Sequence, residues 1–184
     1  MDLVIAITGA TGAMYGITLL EELTKRGIRT HLIISRWARR TIELETDYAP
    51  EQVAEMAAKC YDEEDLAAAV SSGSFRHQGM VILPCSMKTL SGIAHGYGDN
   101  LIQRAADVTI KENRRLILAP RETPLNAIHL ENMLKLARLG VVIMPPMPAF
   151  YNKPSTLEDL RRHFIGRVLD HLDVENDYPR WTGS

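Results

Sequence analysis

An arginine and a glutamate follow what we predict to be the carboxyl end of a strand. Arg121 and Glu122 come after the apolar run Leu116–Ala119 and stand between Pro120 and Pro124. In open α/β sheets the carboxyl ends of the strands form the ligand crevice. An arginine there suits a phosphate or a ring carbonyl, and a glutamate beside it can transfer protons. A surface ion pair in a loop is the alternative interpretation of this segment alone.

A glycine-rich turn, from Thr8 to Gly16, lies between a predicted strand and a predicted helix. That context is typical of a backbone phosphate cradle, although a tight turn without a ligand has the same sequence. The spacing is G-x-x-G-x-x-x-G, whereas dinucleotide enzymes have G-x-G-x-x-G. Residues 27–42 include no acid to hold the ribose of NAD, which argues against that cofactor.

Polar groups also end two further predicted strands. Ser35 and Arg36 could hold a hydroxyl or a phosphate, including the extra phosphate of NADP, so an NADP enzyme stays an alternative. The chain has no Tyr-x-x-x-Lys pair for the proton relay of short-chain dehydrogenases. In the segment Pro84–Thr89, the polar side chains could contact an anion at the start of the next helix. We interpret Cys85 in that segment as a small buried thiol rather than a nucleophile.

These groups need a scaffold, and the apolar pattern predicts one. Continuous apolar runs predict strands buried on both faces, and most are separated by helical stretches. The alternation predicts a single Rossmann- or flavodoxin-like α/β domain over residues 1–184, with a doubly wound, mostly parallel sheet and helices on both faces. The predicted strands are Leu3–Ile7, His31–Ile34, Met80–Leu83, Leu116–Ala119 and Val141–Met144, and the predicted helices are Met14–Arg26, Leu101–Lys111, Pro124–Leu139 and Ser155–His171.

Local sequence features predict the structure of four further parts of the chain. We expect Thr41–Leu66 to be helical with an interruption at Pro50, and Ser71–Gly79 to be a polar loop with little packing. Ser155 is the expected cap of the last helix, with Glu158 three residues on. The aromatic tail, Asp177–Trp181, needs a surface to lie on, in the same subunit or another.

Composition excludes several classes of protein. A net charge of -2 does not indicate nucleic acid or another polyanion as the main partner. No apolar run approaches the roughly 20 residues that span a membrane. The acidic start of the chain leads directly into a strand, so we expect no signal peptide. The two cysteines form no metal-ligand pattern, and we expect a reduced, cytoplasmic protein.

The chain resembles the flavin prenyltransferases, the family of the UbiX and Pad1 proteins. The matching segments are collinear and cover essentially the whole chain: TGATGAMYG in the first turn, ETD at Glu45–Asp47, PCSMKTL at Pro84–Leu90, RAADV with Lys111 three residues later, PRETP at Pro120–Pro124, IHLENM at Ile128–Met133, PAFY at Pro148–Tyr151 and PRW at Pro179–Trp181. The stretches WARRTIELET, SSGSFR and PCSMKTL are most similar to the Pad1 branch, which accompanies phenolic-acid decarboxylases.

The resemblance implies that the chain joins the dimethylallyl group of dimethylallyl phosphate to N5 and C6 of reduced FMN. Phosphate is released, and the prenylated FMN serves as the cofactor of a partner decarboxylase of the UbiD type. The family uses a monophosphate without a metal, and this chain has no Asp-rich D-D-x-x-D motif for a magnesium-bound diphosphate. A homo-oligomer, a dodecamer in known members, is also implied. The Pro-rich segment and the tail are candidate contacts between subunits.

The matching motifs also imply site residues. The FMN-binding positions are Gly9, Ala10, Thr11, Ser35, Ser86, Met87, Lys88, Thr89 and Arg121. The catalytic positions are Glu45, Arg104, Lys111, Glu122 and Trp181, and the substrate-binding positions are Tyr151, Arg167, Arg104 and Lys111, with no metal ligands.

Physical chemistry is consistent with several of these assignments. Arg104 and Lys111 are seven residues apart and share one helix face, which suits a leaving phosphate, although a solvated basic face has the same spacing. Aromatic rings such as Tyr151 and Trp181 can stabilise an allylic cation. Helix geometry does not favour Arg167 over Arg161, and only the resemblance does.

Two alternative functions keep the fold and FMN. The first is oxidative decarboxylation of a cysteine, as in a related flavoprotein family whose P-A-S-A-N-T turn has Asn where this chain has Lys88. The second is a non-catalytic FMN carrier that serves a decarboxylase.

Overall fold

Six parallel strands form one sheet in the computed structural model, which describes residues 1–181 and 183. The spatial order is β3-β2-β1-β4-β5-β6, so the direction of winding reverses between β1 and β4. The strands are β1 Asp2–Ile7, β2 Arg29–Ile34, β3 Lys59–Tyr61, β4 Gly79–Cys85, β5 Arg115–Pro120 and β6 Val142–Ile143. The predicted doubly wound α/β fold is confirmed.

Seven α-helices connect or follow these strands in the described residues. They are α1 Ala13–Lys25, α2 Arg36–Glu45, α3 Pro50–Glu55, α4 Met87–Ala94, α5 Leu101–Lys111, α6 Ala127–Arg138 and α7 Leu157–His171. Gly27 and Gly140, which follow the ends of α1 and α6, have positive φ angles, a conformation that favours glycine just past a helix end.

Both faces of the sheet are covered because apolar side chains run continuously along the central strands. On β1, Val4 and Ala6 belong to a core that includes Leu101 and Ala105 of α5. The other face of the sheet carries α1, because a Cβ on Gly16 of α1 would lie only 2.9 Å from Ile7 Cγ1. This arrangement is the reason that the strands read as unbroken apolar runs.

The prediction for Thr41–Leu66 was wrong in its second half. Helices α2 and α3 account for residues up to Glu55, but Lys59–Tyr61 is an edge strand that pairs in parallel with β2. Three residues are too few to show a periodic pattern. The loop Ser71–Gly79 also packs better than predicted, because Phe75 lies edge-on to His31 at 4.8 Å between ring centroids.

The chain divides into two compact units, residues 1–145 with the sheet and residues 146–184 with α7. The prediction of one domain over 1–184 stays a prediction. In the second unit, Thr156 rather than Ser155 caps α7, and its hydroxyl accepts from the backbone N–H of Asp159 at 3.1 Å. Asp159 in turn accepts from both Ser155 and Thr156, so the predicted pair Ser155 and Glu158 was displaced by one residue.

Candidate functional site

Thr8 joins the two strand ends at which the winding reverses. Its buried hydroxyl donates to the Pro84 carbonyl at 2.8 Å and accepts from the Ser86 N–H at 2.7 Å. The Thr8 N–H also donates to Pro84 O at 3.2 Å. The turns after β1 and β4 are therefore held side by side, at the position where sheets of this strand order bind nucleotides.

The glycine turn after β1 has a protein carboxylate at its helical end. Glu45, the last residue of α2, accepts from the N–H groups of Gly12 and Ala13 at 2.7 and 3.2 Å. Gly12 has a φ of 102°, a left-handed conformation that favours glycine. The amides at the start of α1, which the sequence predicted for a phosphate, are thus occupied by Glu45.

Two other glycines of the motif are required for packing. A Cβ on Gly9 would lie 2.5 Å from Trp37 Cβ, and one on Gly16 would lie 2.5 Å from Leu83 O. Thr11 is exposed and Ala10 is half-buried on the same turn. Gly9, Ala10 and Thr11 therefore present backbone and one hydroxyl to the crevice.

Ser35 and Ser86 cap the helices that follow β2 and β4. The Ser35 hydroxyl accepts from Ala38 N–H at 3.1 Å, which leaves its own hydrogen to donate to an anion. Ser86 accepts from Thr89 N–H at 3.3 Å and donates to Thr89 Oγ1 at 3.0 Å. The Ser86 hydroxyl hydrogen is thus used within the protein, and the hydroxyl hydrogen of Thr89 is available to donate to a ligand. Two helix N-termini with hydroxyl donors at one sheet edge favour an anionic ligand.

The strand β5 brings Arg121 to the same edge. The Arg121 N–H donates to Cys85 O at 3.1 Å, which ties the ends of β5 and β4 together. The side chains of Arg121 and Glu122 are exposed, and Glu122 accepts from Thr123 N–H at 3.0 Å. Lys88 is exposed in the first turn of α4, and Met87 packs partly on the core. The predicted location of this arginine and glutamate is confirmed.

Cys85 is fully buried at the end of β4. Burial raises the pKa of its thiol far above the usual range, which keeps the thiol protonated. The interpretation of Cys85 as a structural thiol is consistent with this environment.

The structure separates Lys111 from this edge within one chain. Helix α5 runs back from the carboxyl ends of the strands, and Lys111 lies four residues before the start of β5. Six-residue strands such as β1 and β5 are about 20 Å long, and this length separates Lys111 from the turn at Gly12. Lys111 pairs with Glu112 at 2.5 Å.

Arg104 lies in the first turn of α5, about 10 Å along the helix axis from Lys111. Its Nε donates to Ser71 O at 3.2 Å, and its Nη1 pairs with Asp107 at 2.9 Å. The sequence placed both cations on one helix face, but it carried no information on which sheet edge each would reach.

The remaining predicted residues, Tyr151, Arg167 and Trp181, lie in the unit 146–184 and cluster there. The rings of Tyr151 and Trp181 meet edge-on with centroids 5.7 Å apart. A hydrogen bond with the Tyr178 side chain raises the pKa of Arg167, and Tyr151 is close enough to raise it further. Arg161 pairs with Glu158, and Arg167 lies 3.6 Å from Asp170, so both arginines have a carboxylate partner, and it is the contact with Tyr178 and Tyr151 that sets Arg167 apart.

Asp170 on α7 holds the tail in the same subunit. It accepts from the Tyr178 hydroxyl at 2.7 Å and from Arg180 at 2.6 and 3.0 Å. Burial alone would raise the pKa of Asp170, but the hydrogen bonds from Arg180, Tyr178 and Asn176 outweigh it and lower the pKa to about 2. The prediction that the tail lies on a surface is confirmed for α7.

The sequence analysis did not identify two buried polar residues, Thr8 and His163, that contact predicted site residues in the structure. Thr8 was visible only as a polar residue after an apolar run, and its bond to Ser86 spans 78 positions of the chain. His163 is buried on α7 and contacts Tyr151. The isolated histidine gave no sequence signal.

Several hydrogen-bond donors at the carboxyl ends of the strands fit FMN. The serine-capped helix ends, the backbone of the glycine turn and Arg121 are donors that fit the phosphate and ring oxygens of FMN.

Within residues 1–181 and 183, no group of three or more His, Cys, Asp or Glu side chains is arranged to hold a metal ion. Across the same residues, no helix has the length and apolar character needed to cross a membrane.

Known proteins match the chain over nearly its full length. Residues 1–162 match the family described as Flavoprotein. A probable UbiX-like flavin prenyltransferase from Streptomyces sp. (strain D7) is 55% identical over 185 residues, covering 100% of this chain and 92% of that protein. The mitochondrial flavin prenyltransferase PAD1 of Saccharomyces cerevisiae is 53% identical, covering 98% of this chain and 75% of that protein.

Two solved structures have the same fold throughout. AnUbiX (PadA1), in complex with FMN and dimethylallyl pyrophosphate, has a TM-score of 0.98 at 52% identity and covers 100% of this chain and 98% of that one. A dodecameric FMN-dependent UbiX-like decarboxylase from Escherichia coli O157:H7 has a TM-score of 0.98 at 54% identity, with 100% of both chains covered. The chain therefore belongs to the flavoprotein family, among its UbiX-like flavin prenyltransferases.

Proposed function

We propose that FMN binds across the carboxyl edge of the sheet, with its phosphate at the serine-capped ends of α2 and α4. The observation that carries this proposal is the Thr8 link, which places the β1 and β4 turns beside each other. Ser35 joins the same edge because its N–H donates to Ile7 O at 3.0 Å. Gly9, Ala10 and Thr11 then line one side of the flavin, and Met87, Lys88 and Arg121 line another.

Bound in its reduced state, FMN supplies the nucleophile, to which the dimethylallyl group is joined at N5 and C6 with release of phosphate. The residues of the chain have separate roles in this reaction. Glu122 accepts a proton at the ring-closing stage, with Glu45 the second carboxylate of the site. Arg167 neutralises the departing phosphate. The ring faces of Tyr151 and Trp181 stabilise positive charge on the allyl group.

The proposed prenyl donor is dimethylallyl phosphate, the monoester. The related structure named above holds the pyrophosphate, so the two esters must be compared directly. Purified protein is incubated with FMN, a reductant and each ester separately, and the flavin product is identified by mass. We expect prenylated FMN with the monoester at the higher kcat/KM. Unmodified FMN in both mixtures would support a carrier, and oxidative decarboxylation of a cysteine peptide would support the first alternative.

Glu122→Gln tests the proton-transfer role. The amide keeps the size of the side chain but cannot accept a proton, so we expect product formation to slow about a hundred- to ten-thousandfold while FMN affinity is kept. Glu131→Gln, an exposed carboxylate on α6, is the matched control and should react at the wild-type rate. Wild-type rates in Glu122→Gln would remove this residue from the mechanism.

Lys111 is proposed to serve the site of a neighbouring subunit, together with Arg104 on the same helix face. Within one chain, Lys111 lies towards the amino ends of the strands and the glycine turn lies at their carboxyl ends. A single subunit therefore does not bring them together. Co-expression of Lys111→Ala and Glu122→Gln chains tests this proposal. Mixed oligomers would contain sites with both side chains intact, and we expect activity well above that of either variant alone. No recovery in verified mixed oligomers would contradict a shared site.

The remaining proposals concern assembly and context. We expect a homododecamer, as in the Escherichia coli relative, with molar mass by light scattering as the measurement. Exposed leucines on α6, Leu130 and Leu134, are candidate contacts between subunits in addition to the Pro-rich segment and the tail.

The product is expected to activate a UbiD-type decarboxylase. FMN binding should survive EDTA, because no metal is proposed in the site. The two free thiols fit a cytoplasmic location.

A further inference from the structure

A histidine connects two of the segments that carry proposed substrate-side residues. His163 lies on α7, and only 6% of its surface is exposed. Its Nε2 is 2.6 Å from the hydroxyl oxygen of Tyr151, which precedes α7 in the chain. Its ring also meets Tyr178 of the tail edge-on, with centroids 5.3 Å apart. The imidazole is therefore enclosed between the segment before the helix and the segment after it.

The orientation of this imidazole is fixed by its neighbours. The Tyr151 ring lies at 82° to it with centroids 5.3 Å apart, and the Tyr178 ring lies at 83°. Gly166, one turn further along α7, leaves the space that the Tyr178 ring occupies, because a Cβ there would overlap that ring. A ring held on two sides has little freedom to rotate away from Tyr151.

The charge state of His163 determines what it can offer to Tyr151. Burial lowers the pKa of His163, and the positive charge of Arg167 lowers it further, so the imidazole is neutral near pH 7. A neutral imidazole has one N–H donor and one acceptor nitrogen. If Nε2 carries the hydrogen, the Tyr151 oxygen accepts it, and the Tyr151 hydroxyl hydrogen is left to donate to a ligand.

The geometry points to His163 as a positioning residue that directs the Tyr151 hydroxyl hydrogen toward the phosphate oxygens of the prenyl donor. This inference rests on the proposed role of Tyr151 in binding that donor. Arg167, also on α7, provides a positive charge close to Tyr151 and lies 3.6 Å from Asp170. An anion placed there would share this cation with Asp170 and would also meet an oriented hydroxyl. His163 itself does not need to contact the substrate.

The test measures steady-state prenylation at varied dimethylallyl phosphate, with the FMN dissociation constant determined separately. His163→Leu should raise the KM for the donor roughly tenfold, the effect of losing one oriented hydrogen bond, with FMN affinity unchanged. His163→Gln keeps an N–H donor in place of Nε2 and should restore the KM to within about threefold of wild type. His171→Leu, the same change later in α7, is the matched control. If His163→Leu does not fold, His163→Met replaces it.

A double-mutant cycle separates positioning from packing. In the Tyr151→Phe background, His163→Leu should change the KM by less than about twofold, because no hydroxyl remains to be oriented. An undiminished effect in that background, or a glutamine variant as impaired as the leucine variant, would overturn the inference. A wild-type protein that forms no prenylated flavin would instead overturn the proposed function. An active wild type with an unaltered KM in His163→Leu would overturn the positioning role alone.

Discussion

Replacing Thr8 by valine should loosen the link between the β1 and β4 turns. Valine keeps the shape of threonine but has no hydroxyl, so Ser86 N–H loses the acceptor that lies 2.7 Å away. The Pro84 carbonyl keeps its bond from the Thr8 N–H. An unpaired buried donor costs about 1–3 kcal/mol, so the free energy of unfolding should fall by about that amount. For a chain of this length the melting temperature should fall by roughly 2–12 °C.

The same substitution should affect FMN more than riboflavin. Ser86 begins the helix end proposed to hold the phosphate, which riboflavin lacks, so only FMN should lose affinity when Ser86 shifts. Urea unfolding gives the stability, and calorimetric titration with each flavin gives the two dissociation constants. Thr8→Ser, which keeps the hydroxyl, should restore both quantities.

Thr18→Val provides a matched control for this experiment. Thr18 is also a buried threonine, but its hydroxyl has no hydrogen-bond partner within the described part of the chain. Its replacement should leave the free energy of unfolding unchanged or raise it slightly. A Thr8→Val variant no less stable than Thr18→Val would refute the reasoning. So would an equal loss of affinity for FMN and riboflavin.

Three further predictions concern other contacts. Gly16→Ala should lower the free energy of unfolding by about 1–3 kcal/mol in a urea titration, because its Cβ would press on the backbone oxygen of Leu83. The control is Gly98→Ala, whose Cβ would lie an ordinary 3.8 Å from its nearest neighbour, and it should lower the free energy of unfolding by less. Glu45→Ala should destabilise the start of α1 by about 1–2 kcal/mol, seen as faster amide hydrogen exchange there, and unchanged exchange would contradict its capping role. The tail contacts of Asp170 should be stable above about pH 4 and weaken as the pH falls through about 2, because the pKa is lowered from 3.8 by folding. Trp181 emission in a Trp37→Phe background measures that transition, which Asp170→Asn should abolish.

Local patterns in the sequence predicted most of the sheet and the longer helices. Leu101–Lys111 was predicted with its observed bounds because its apolar residues recur at helical spacing, and in the structure Asn100 caps this helix. The edge strand Lys59–Tyr61 was missed, since three residues stabilised by pairing with β2 alone leave no periodic signal. The cap of α7 was misplaced by one residue because serine and threonine stand side by side.

The candidate site was predictable where it depends on single strand ends and unpredictable where it depends on distant pairs. Ser35, Ser86 and Arg121 each follow an apolar run and could be located from that fact. The contact of Glu45 with Gly12 joins residues 33 positions apart, and the separation of Lys111 from that turn depends on the direction of α5. Neither follows from periodicity or spacing.

The position of Glu45 has a consequence for nucleotide selectivity. Sheets with this strand order usually receive the pyrophosphate of a dinucleotide at the first helix after β1. In this protein a carboxylate already accepts from two amides at that helix end. A dinucleotide would have to displace Glu45 or place its own negative charge beside it, which like charges oppose. A mononucleotide with its single phosphate at α2 and α4 avoids that repulsion. With FMN bound as proposed, discrimination against the larger nucleotides would follow from the first turn of the fold.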